Sequence, residues 1–201
     1  MKMVFASHNK GKIKEVSEKL KSLHIEIIPQ SELNVGEIAE TGLTFIENAI
    51  LKARHACQIT GLPAIADDSG LEVTALQGAP GIFSARYAGT TATTQDNIHK
   101  LLQEMSSIPD HLRMASFRCV LVYLSHANDP APLICEGIWH GQILRDTLGE
   151  NGFGYDPIFF DLENQCTAAQ LPLKIKNKIS HRGKALDLLG QQLAEKLKDK
   201  S

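Results

Sequence analysis

The sequence lacks any apolar run long enough to cross a membrane, and neither sign of charge is in large excess. Its 201 residues carry 21 Lys and Arg against 23 Asp and Glu, for a formal net charge of −2. This charge gives no reason to expect a polyanionic partner such as duplex DNA, so any anion site must be local. The opening apolar stretch, residues 3–6, is too short for a secretion signal. We therefore expect a cytoplasmic protein that binds neither nucleic acid nor membrane.

The sequence also lacks the short paired cysteine spacings of zinc and redox motifs. Its four cysteines are scattered through apolar segments, at Cys57, Cys119, Cys135 and Cys166. This distribution predicts reduced, buried thiols, as in a cytoplasmic protein.

Strand and helix patterns interleave along the chain. Apolar residues make up 43% of the sequence, enough for a sizeable core in one domain over residues 1–201, with room for two lobes. Two long apolar segments, residues 115–125 and 133–144, favour an antiparallel pair joined by a turn. Interleaved elements together with a long hairpin predict an α/β fold with a mixed sheet rather than a purely parallel one.

Cap signals mark the limits of several helices. Thr44 and Glu47 form a capping-box pattern, and Gly61 is placed to end the helix that follows. Thr94 and Ser180 are expected to cap two later helices. The apolar stripe expected on the first of these helices is Ile46, Ala49, Ile50, Ala53 and Cys57.

A polar loop connects the first strand to the first helix, with the sequence Ser7, His8, Asn9, Lys10, Gly11 and Lys12. Backbone N–H groups and the helix dipole favour an anion at such a position, and two lysines strengthen the field. The GxxxxGK[ST] pattern of a P-loop is absent, which disfavours P-loop kinase or ATPase chemistry. The loop is therefore a candidate phosphate site, although an ordinary connecting turn would have the same composition.

Paired carboxylates follow a short apolar strand at residues 63–66. Asp67 and Asp68 are expected at the end of this strand, with Glu37 and Glu40 upstream near a helix start. Carboxylate oxygens are the ligands that Mg²⁺ takes alongside substrate phosphates, and one carboxylate could act as a base. A simple β-turn of sequence Asp-Asp-Ser-Gly is the alternative, in which the side chains only satisfy local backbone groups.

Two later segments combine glycine, aromatic and basic residues. Residues 152–157 have two glycines that permit close backbone approach and two aromatics, Phe153 and Tyr155, that could stack on a base. His181 and Arg182 stand in the first turn of the last helix, where the macrodipole disfavours cations. Their position indicates an anionic or acceptor-rich ligand, with a solvated basic turn as the alternative.

Taken in order, these segments resemble the inosine triphosphate pyrophosphatase family, which includes the dITP/XTP pyrophosphatases. The resemblance covers nearly the whole chain and depends on the ordered set rather than on one motif. It is carried by residues 7–12 (SHNKGK), 40–49 (ETGLTFIENA), 66–71 (ADDSGL), 80–87 (PGIFSARY), 152–157 (GFGYDP) and 180–186 (SHRGKAL).

The resemblance implies a mixed, elongated sheet with helices forming two lobes around a central cleft, and a homodimer. It also implies hydrolysis of ITP, dITP and XTP to the monophosphate and pyrophosphate, with Mg²⁺ as cofactor. By the same resemblance Lys12 takes part in catalysis, Asp68 is the proton acceptor, and Glu40 and Asp68 are the metal residues. The implied substrate-binding residues are Ser7, His8, Asn9, Lys10, Gly11, Lys12, Ser69, Phe153, Gly154, Tyr155, Asp156, Lys176, His181 and Arg182.

One part of the basic segment departs from the family pattern. Acidic residues often precede the family's lysine, whereas this chain has Lys174 and Ile175 there, and Lys178 adds a further charge. Lys176 is chosen by its five-residue spacing from His181, and Lys174 or Lys178 could share its role.

Three other functions compete with this interpretation. A nucleotide-binding or sensing module would have little use for carboxylates clustered beside a polyphosphate. A serine hydrolase using Ser69 and His181 would lack the G-x-S-x-G elbow. Cleavage of modified pyrimidine triphosphates on a similar fold is the third alternative, and the segment at residues 180–183 is typical of the purine enzymes instead.

Overall fold

Strands and helices alternate through most of the chain. The structure is a computed structural model that describes residues 1–198. Within this range the helices are α1 (Lys10–Leu20), α2 (Phe45–Thr60), α3 (Thr94–Glu104), α4 (Leu173–Ile179) and α5 (His181–Lys198). The strands are β1 (Lys2–Phe5), β2 (Glu26–Pro29), β3 (Ala64–Val73), β4 (Met114–Leu124), β5 (Leu133–Ile143), β6 (Phe159–Asp161) and β7 (Cys166–Thr167).

The seven strands form one sheet in the order β2-β1-β3-β4-β5-β6-β7. β1 pairs in parallel with both β2 and β3, whereas β6 runs antiparallel to β5 and to β7. The sheet is therefore mixed, and the expectation of a mixed α/β fold is confirmed.

The chain divides into two compact units. Of the described residues, the first unit comprises Met1–Asp68, Cys119–Gly137 and residues 184–198, and the second comprises Ser69–Arg118 and Ile138–Gly183. Each unit has its own apolar core. The first core includes Phe5, Leu20, Ile65, Leu121 and Leu189, and the second includes Leu71, Leu101, Phe117, Trp139 and Phe159.

Helix α2 begins and ends where its cap residues predict. The Thr44 hydroxyl accepts the N–H of Glu47 at 3.2 Å, the Glu47 carboxylate accepts the N–H of Thr44 at 2.9 Å, and Gly61 ends the helix with a φ of 67°. The expected stripe is wrong at Ile46, which is exposed. Phe45 and Asn48 are buried in its place, because the inward arc of the helix starts one residue earlier than the pattern indicated.

Several other boundaries differ from the expected ones. Thr93, not Thr94, caps α3, with its side chain accepting the N–H of Asp96. The apolar pattern at residues 157–160 also favours a strand, and β6 begins there only at Phe159. Ser180 accepts the N–H of Gly183 at 3.2 Å and caps α5 as expected.

The largest correction concerns β3. Residues 67–70 do not form a turn after a short strand, because β3 continues without interruption from Ala64 to Val73. Asp67 and Asp68 lie inside this strand and are buried. Residues that favour turns in isolation are held in a strand here by pairing within the sheet.

The cysteines are all free thiols, as expected; three are buried and Cys166 is half-buried. No helix among residues 1–198 is long and apolar enough to cross a membrane.

Candidate active site

A crevice site is expected where the chain reverses its direction across the sheet. β1 lies between β2 and β3 in the sheet. The chain passes through α1 from β1 to β2 on one side, and then through α2 from β2 to β3 on the other side of β1. Ligands in open α/β sheets bind outside the carboxyl ends of the strands at such a switch point. β1 ends at Phe5 opposite Ile65 of β3, so Asp67 and Asp68 extend past this end, where residues 7–12 leave β1.

Asp67 and Asp68 meet lysines from different helices. Right-handed crossovers place α1 and α2 on opposite faces of the sheet, and neighbouring strand residues point to opposite faces. The Lys12 Nζ of α1 lies 2.6 Å from the Asp67 carboxylate. The Lys52 Nζ of α2 lies 3.0 Å from Asp68. Each carboxylate therefore has an ammonium partner in the first unit.

The Lys52 ammonium also contacts Glu40, with Nζ 2.9 Å from Oε1. The Asn48 side-chain amide donates to Asp68 at 3.4 Å. Lys52 thus joins two of the carboxylates that the sequence singled out, and it follows Asn48 by one helical turn on α2.

Burial controls the electrostatics of this group. It raises the pKa of the Asp68 carboxyl above its ordinary value, which the Lys52 ammonium only partly offsets. Burial alone would lower the pKa of Lys52, but the carboxylates of Asp68, Asp67 and Glu40 outweigh it, and the pKa of Lys52 is raised. The arrangement provides a carboxylate that can accept a proton beside an ammonium that keeps its charge.

Residues 7–12 form the expected strand-to-helix loop. Asn9 caps α1, with its side chain accepting the N–H of Lys12 at 3.1 Å, while the N–H of Asn9 donates to the Ser7 hydroxyl at 3.2 Å. His8 is exposed and lies 3.9 Å from the exposed Glu37. The loop therefore presents residues 8–11 to solvent while Lys12 points inward to Asp67.

In the second unit, residues 152–156 fold around the Asp156 carboxylate. Asp156 is buried, accepts the N–H of Phe153 at 2.7 Å, and forms an ion pair with Lys176. Gly152 has a φ of 84°, and a Cβ there would overlap the Asp156 carboxylate. Glycine is therefore required at residue 152 for both its backbone angle and its lack of a side chain.

The Phe153 ring is 55% exposed and has two cations beside it. The Lys176 Nζ lies 5.0 Å and the Arg182 guanidinium carbon 5.6 Å from the ring centroid. Lys174 and Lys178 are exposed, so of the three candidate lysines it is Lys176 that the structure brings to Phe153.

Tyr155 corrects one expectation about this loop. Its ring is only 4% exposed and belongs to the second core, so it is not open for stacking on a base. Its hydroxyl donates to the backbone carbonyl of Ser84 at 2.9 Å. Phe153 is therefore the aromatic residue of the pair that the loop exposes.

The start of α5 is buried and tightly packed in the second unit. His181 stacks on Phe117, with ring centroids 4.9 Å apart, and Arg182 is also buried. A Cβ on Gly183 would overlap the backbone carbonyl of Asn177, so this glycine allows α4 and α5 to approach. Ser69, the remaining expected residue, is half-buried on β3 directly after Asp68.

A family model described as the Ham1 family matches residues 3–192. The chain belongs to the Ham1 family. This Ham1 chain is 58% identical over 193 residues, 96% of each chain, to a protein of Vibrio parahaemolyticus named dITP/XTP pyrophosphatase. It is 57% identical over 198 residues, 98% of each chain, to a protein of the same name from Photobacterium profundum.

Solved structures agree with this membership. The structure of a HAM1 protein from Coxiella burnetii has a TM-score of 0.94 at 53% identity and covers 97% of this chain and 99% of its own. The Staphylococcus aureus Ham1 protein has a TM-score of 0.90 at 41% identity and covers 98% of this chain and all of its own, 100%. The Ham1 fold is therefore shown over nearly the full length.

Sequence reasoning missed Lys52 and Asn48 in this Ham1 chain. Asn48 follows the cap residue Thr44 by four residues and Lys52 follows Asn48 by four, so the helical period alone places both on one face of α2. A metal centre was expected from Glu40 and Asp68; among residues 1–198, His, Cys, Asp and Glu form no group of three or more that could hold a metal ion.

Proposed function

We propose that this chain hydrolyses dITP, XTP and ITP to the nucleoside monophosphate and pyrophosphate, and so removes deaminated purine nucleotides from the precursor pool. The observation that carries the proposal is the buried Asp68 carboxylate, which pairs with Lys52. Asp68 lies on β3, next to the strand that leads into the loop at residues 7–12. The name dITP/XTP pyrophosphatase of relatives 58% and 57% identical supports the substrate class.

In the proposed reaction a water molecule attacks the α-phosphorus. The bond to the oxygen that bridges the α- and β-phosphates breaks, and pyrophosphate leaves with the electron pair. Asp68 accepts the proton of the attacking water from its place beside Lys52. Transfer of this kind needs positioning and charge neutralisation more than covalent chemistry. Lys12 and Lys52 supply positive charge, and residues 7–12 supply N–H donors for phosphate oxygens.

Glu40 and Asp68 are the residues that would hold Mg²⁺. Both carboxylates contact the same ammonium, that of Lys52, at 2.9 and 3.0 Å, so they converge closely enough for one small cation. One or two carboxylates completed by substrate phosphates is the usual protein contribution to a Mg²⁺ site. When bound, the ion supplies positive charge that neutralises the phosphates.

The second unit is proposed to bind the purine. Phe153 offers an exposed ring beside the cations of Lys176 and Arg182, Asp156 supports its loop, and the buried His181 directly precedes Arg182 on α5. Hypoxanthine and xanthine carry a 6-oxo acceptor where adenine has an amino donor, and Arg182 and backbone N–H groups can only donate. Donors therefore favour the deaminated bases, and ATP leaves them unmatched.

We also propose that the protein is a cytoplasmic homodimer. The family resemblance supports the dimer, and four free thiols support a reducing compartment. Sedimentation equilibrium across a range of concentrations tests the dimer, and a monomer at all concentrations would contradict it.

The proposed function is tested by pyrophosphate release from ITP, dITP, XTP, GTP and ATP, with and without Mg²⁺. We expect pyrophosphate release from ITP, dITP and XTP when Mg²⁺ is present, and no release from them when it is absent. Reaction in ¹⁸O-labelled water locates the attack: the label enters the monophosphate if water attacks the α-phosphorus. Label in pyrophosphate, or equal rates for ATP and dITP, would contradict the proposal.

A further inference from the structure

The segment from Gly81 to Tyr87 has no role in the proposed site, although it is firmly held. Its short 3-10 turn lies in the second unit, where α3 fixes it from one side. The buried Asn97 donates to the Ala85 carbonyl at 3.1 Å and accepts the N–H of Ala88 at 2.7 Å. The segment is therefore held by a buried side chain whose two polar atoms are both used.

Ser84 is the point where this turn meets two other parts of the second unit. Its hydroxyl accepts the N–H of Leu71 on β3 at 2.8 Å and donates to the Gly81 carbonyl at 2.6 Å. Its backbone carbonyl accepts the Tyr155 hydroxyl at 2.9 Å. The position of the carbonyl that receives Tyr155 is thus set by β3 and by the turn itself.

Tyr155 connects the Ser84 carbonyl to the loop that carries Phe153, because Tyr155 is itself part of that loop. Its ring is packed in the second core, and burial raises the pKa of the hydroxyl, which keeps it protonated as a donor. Gly152 and Gly154 on either side of Phe153 have positive φ values of 84° and 59°. Glycines permit many backbone conformations, so a loop of this composition needs an anchor to hold one of them.

We propose that the hydrogen bond from the Tyr155 hydroxyl to the Ser84 carbonyl is a positioning contact for purine selection. It holds the loop at residues 152–156 so that the Phe153 ring and its neighbouring N–H groups face the base in one arrangement. Tyr155 and Ser84 are positioning residues, since they act through Phe153 and do not touch substrate. The inference rests on the proposed function, because selection between bases is what the loop is positioned for.

Tyr155→Phe removes the hydroxyl and leaves the buried ring in place. Loss of one neutral hydrogen bond corresponds to about a three- to tenfold change. We expect the ratio of kcat/KM for dITP over dATP to fall by about that factor, mainly through a higher KM for dITP, with kcat nearly unchanged. The backbone amides of residues 152–156 exchange hydrogen faster in the variant.

The matched control is Tyr87→Phe. It also removes one tyrosine hydroxyl from the second unit, here one that donates to Glu104 on α3. It should leave the dITP-to-dATP ratio and the loop exchange unchanged. Ser84→Ala loosens the turn that bears the carbonyl while Tyr155 stays intact. It should change the ratio in the same direction, and it decides the question if Tyr155→Phe does not fold.

An unchanged ratio in folded Tyr155→Phe, or an equal fall in Tyr87→Phe, would overturn the positioning role. Failure of the proposed function has a separate signature, because the wild type itself would then not release pyrophosphate from dITP. In that case hydrogen exchange decides the inference: faster exchange at residues 152–156 in Tyr155→Phe alone supports the anchor, and unchanged exchange overturns it.

Discussion

The two compact units hold their functional side chains by different means. In the first unit the candidates are charged and mutually paired: Lys12 with Asp67, and Lys52 with Asp68 and Glu40. In the second unit an exposed aromatic ring stands beside two cations, on a loop braced by Asp156 and Tyr155. Buried ion pairs suit a reaction on phosphate charge, whereas a braced ring suits recognition of a flat base. The comparison therefore supports the proposal that the first unit carries the chemistry and the second unit selects the base.

The largest effect should come from the carboxylate that is proposed to accept the proton. Asp68→Asn keeps the shape of the side chain but removes the base, so kcat should fall by about two to four orders of magnitude. Nucleotide binding and the melting temperature, measured by calorimetry, should change little. Full activity of Asp68→Asn would show that the first unit does not carry out the chemistry through this carboxylate.

Lys52→Met should be the next largest change. Loss of an ammonium from a site of developing phosphate charge is expected to lower kcat by about two to three orders of magnitude. It also removes the group that lowers the pKa of Asp68, so that pKa rises further. A base works only when deprotonated, so activity is lost as pH falls through its pKa.

The pH dependence of kcat checks the role of Lys52 directly. The acid limb of the profile should move to higher pH in Lys52→Met, because burial then raises the pKa of the Asp68 carboxyl without the opposing Lys52 ammonium. A slower enzyme with an unmoved acid limb would show that Lys52 does not act on the proton acceptor.

Lys12→Ala should weaken triphosphate binding by about ten- to a hundredfold, because one charge-assisted contact is lost. Its control, Lys14→Ala, removes an exposed lysine two residues later that lies 3.9 Å from Glu18. KM for dITP and its salt dependence should change in the first variant only. Equal effects would mean that the helix acts through diffuse positive charge.

Arg182→Ala should act on selection rather than on chemistry. Loss of a donor to the 6-oxo group costs about 1 to 3 kcal/mol, so the ITP-to-ATP ratio of kcat/KM should fall about ten- to a hundredfold. Hydrolysis of ATP should stay at its residual rate. If the ratio does not change, base selection resides in the backbone of residues 153–156 instead.

Local signals in the sequence predicted much of this molecule. The capping box at Thr44 and the stop at Gly61 were found because a cap depends on residues within one turn. The sequence singles out Asp67 and Asp68 as a pair but places them at a strand end, because turn-forming residues suggest a boundary there. Strand pairing, which a local pattern does not contain, carries β3 through them.

Long-range contacts explain what the sequence did not reveal. Lys52 is 16 residues from Asp68 and 12 from Glu40 along the chain, and its role depends on how α2 packs beside β3. The hydroxyl of Tyr155 donates to the carbonyl of Ser84, 71 residues away in the sequence. The ring, which the sequence suggests for stacking on a base, is therefore buried in the core. Such partners become visible only once the fold brings them together.

The most direct test of the division between the units is the dITP-to-dATP ratio of kcat/KM in two variants measured side by side. Lys52→Met in the first unit should lower both rates together and leave the ratio at its wild-type value. Arg182→Ala in the second unit should lower the dITP rate alone, so that the ratio falls. A ratio that falls equally in both variants would contradict the account, because chemistry and base selection would then not be separate properties of the two units.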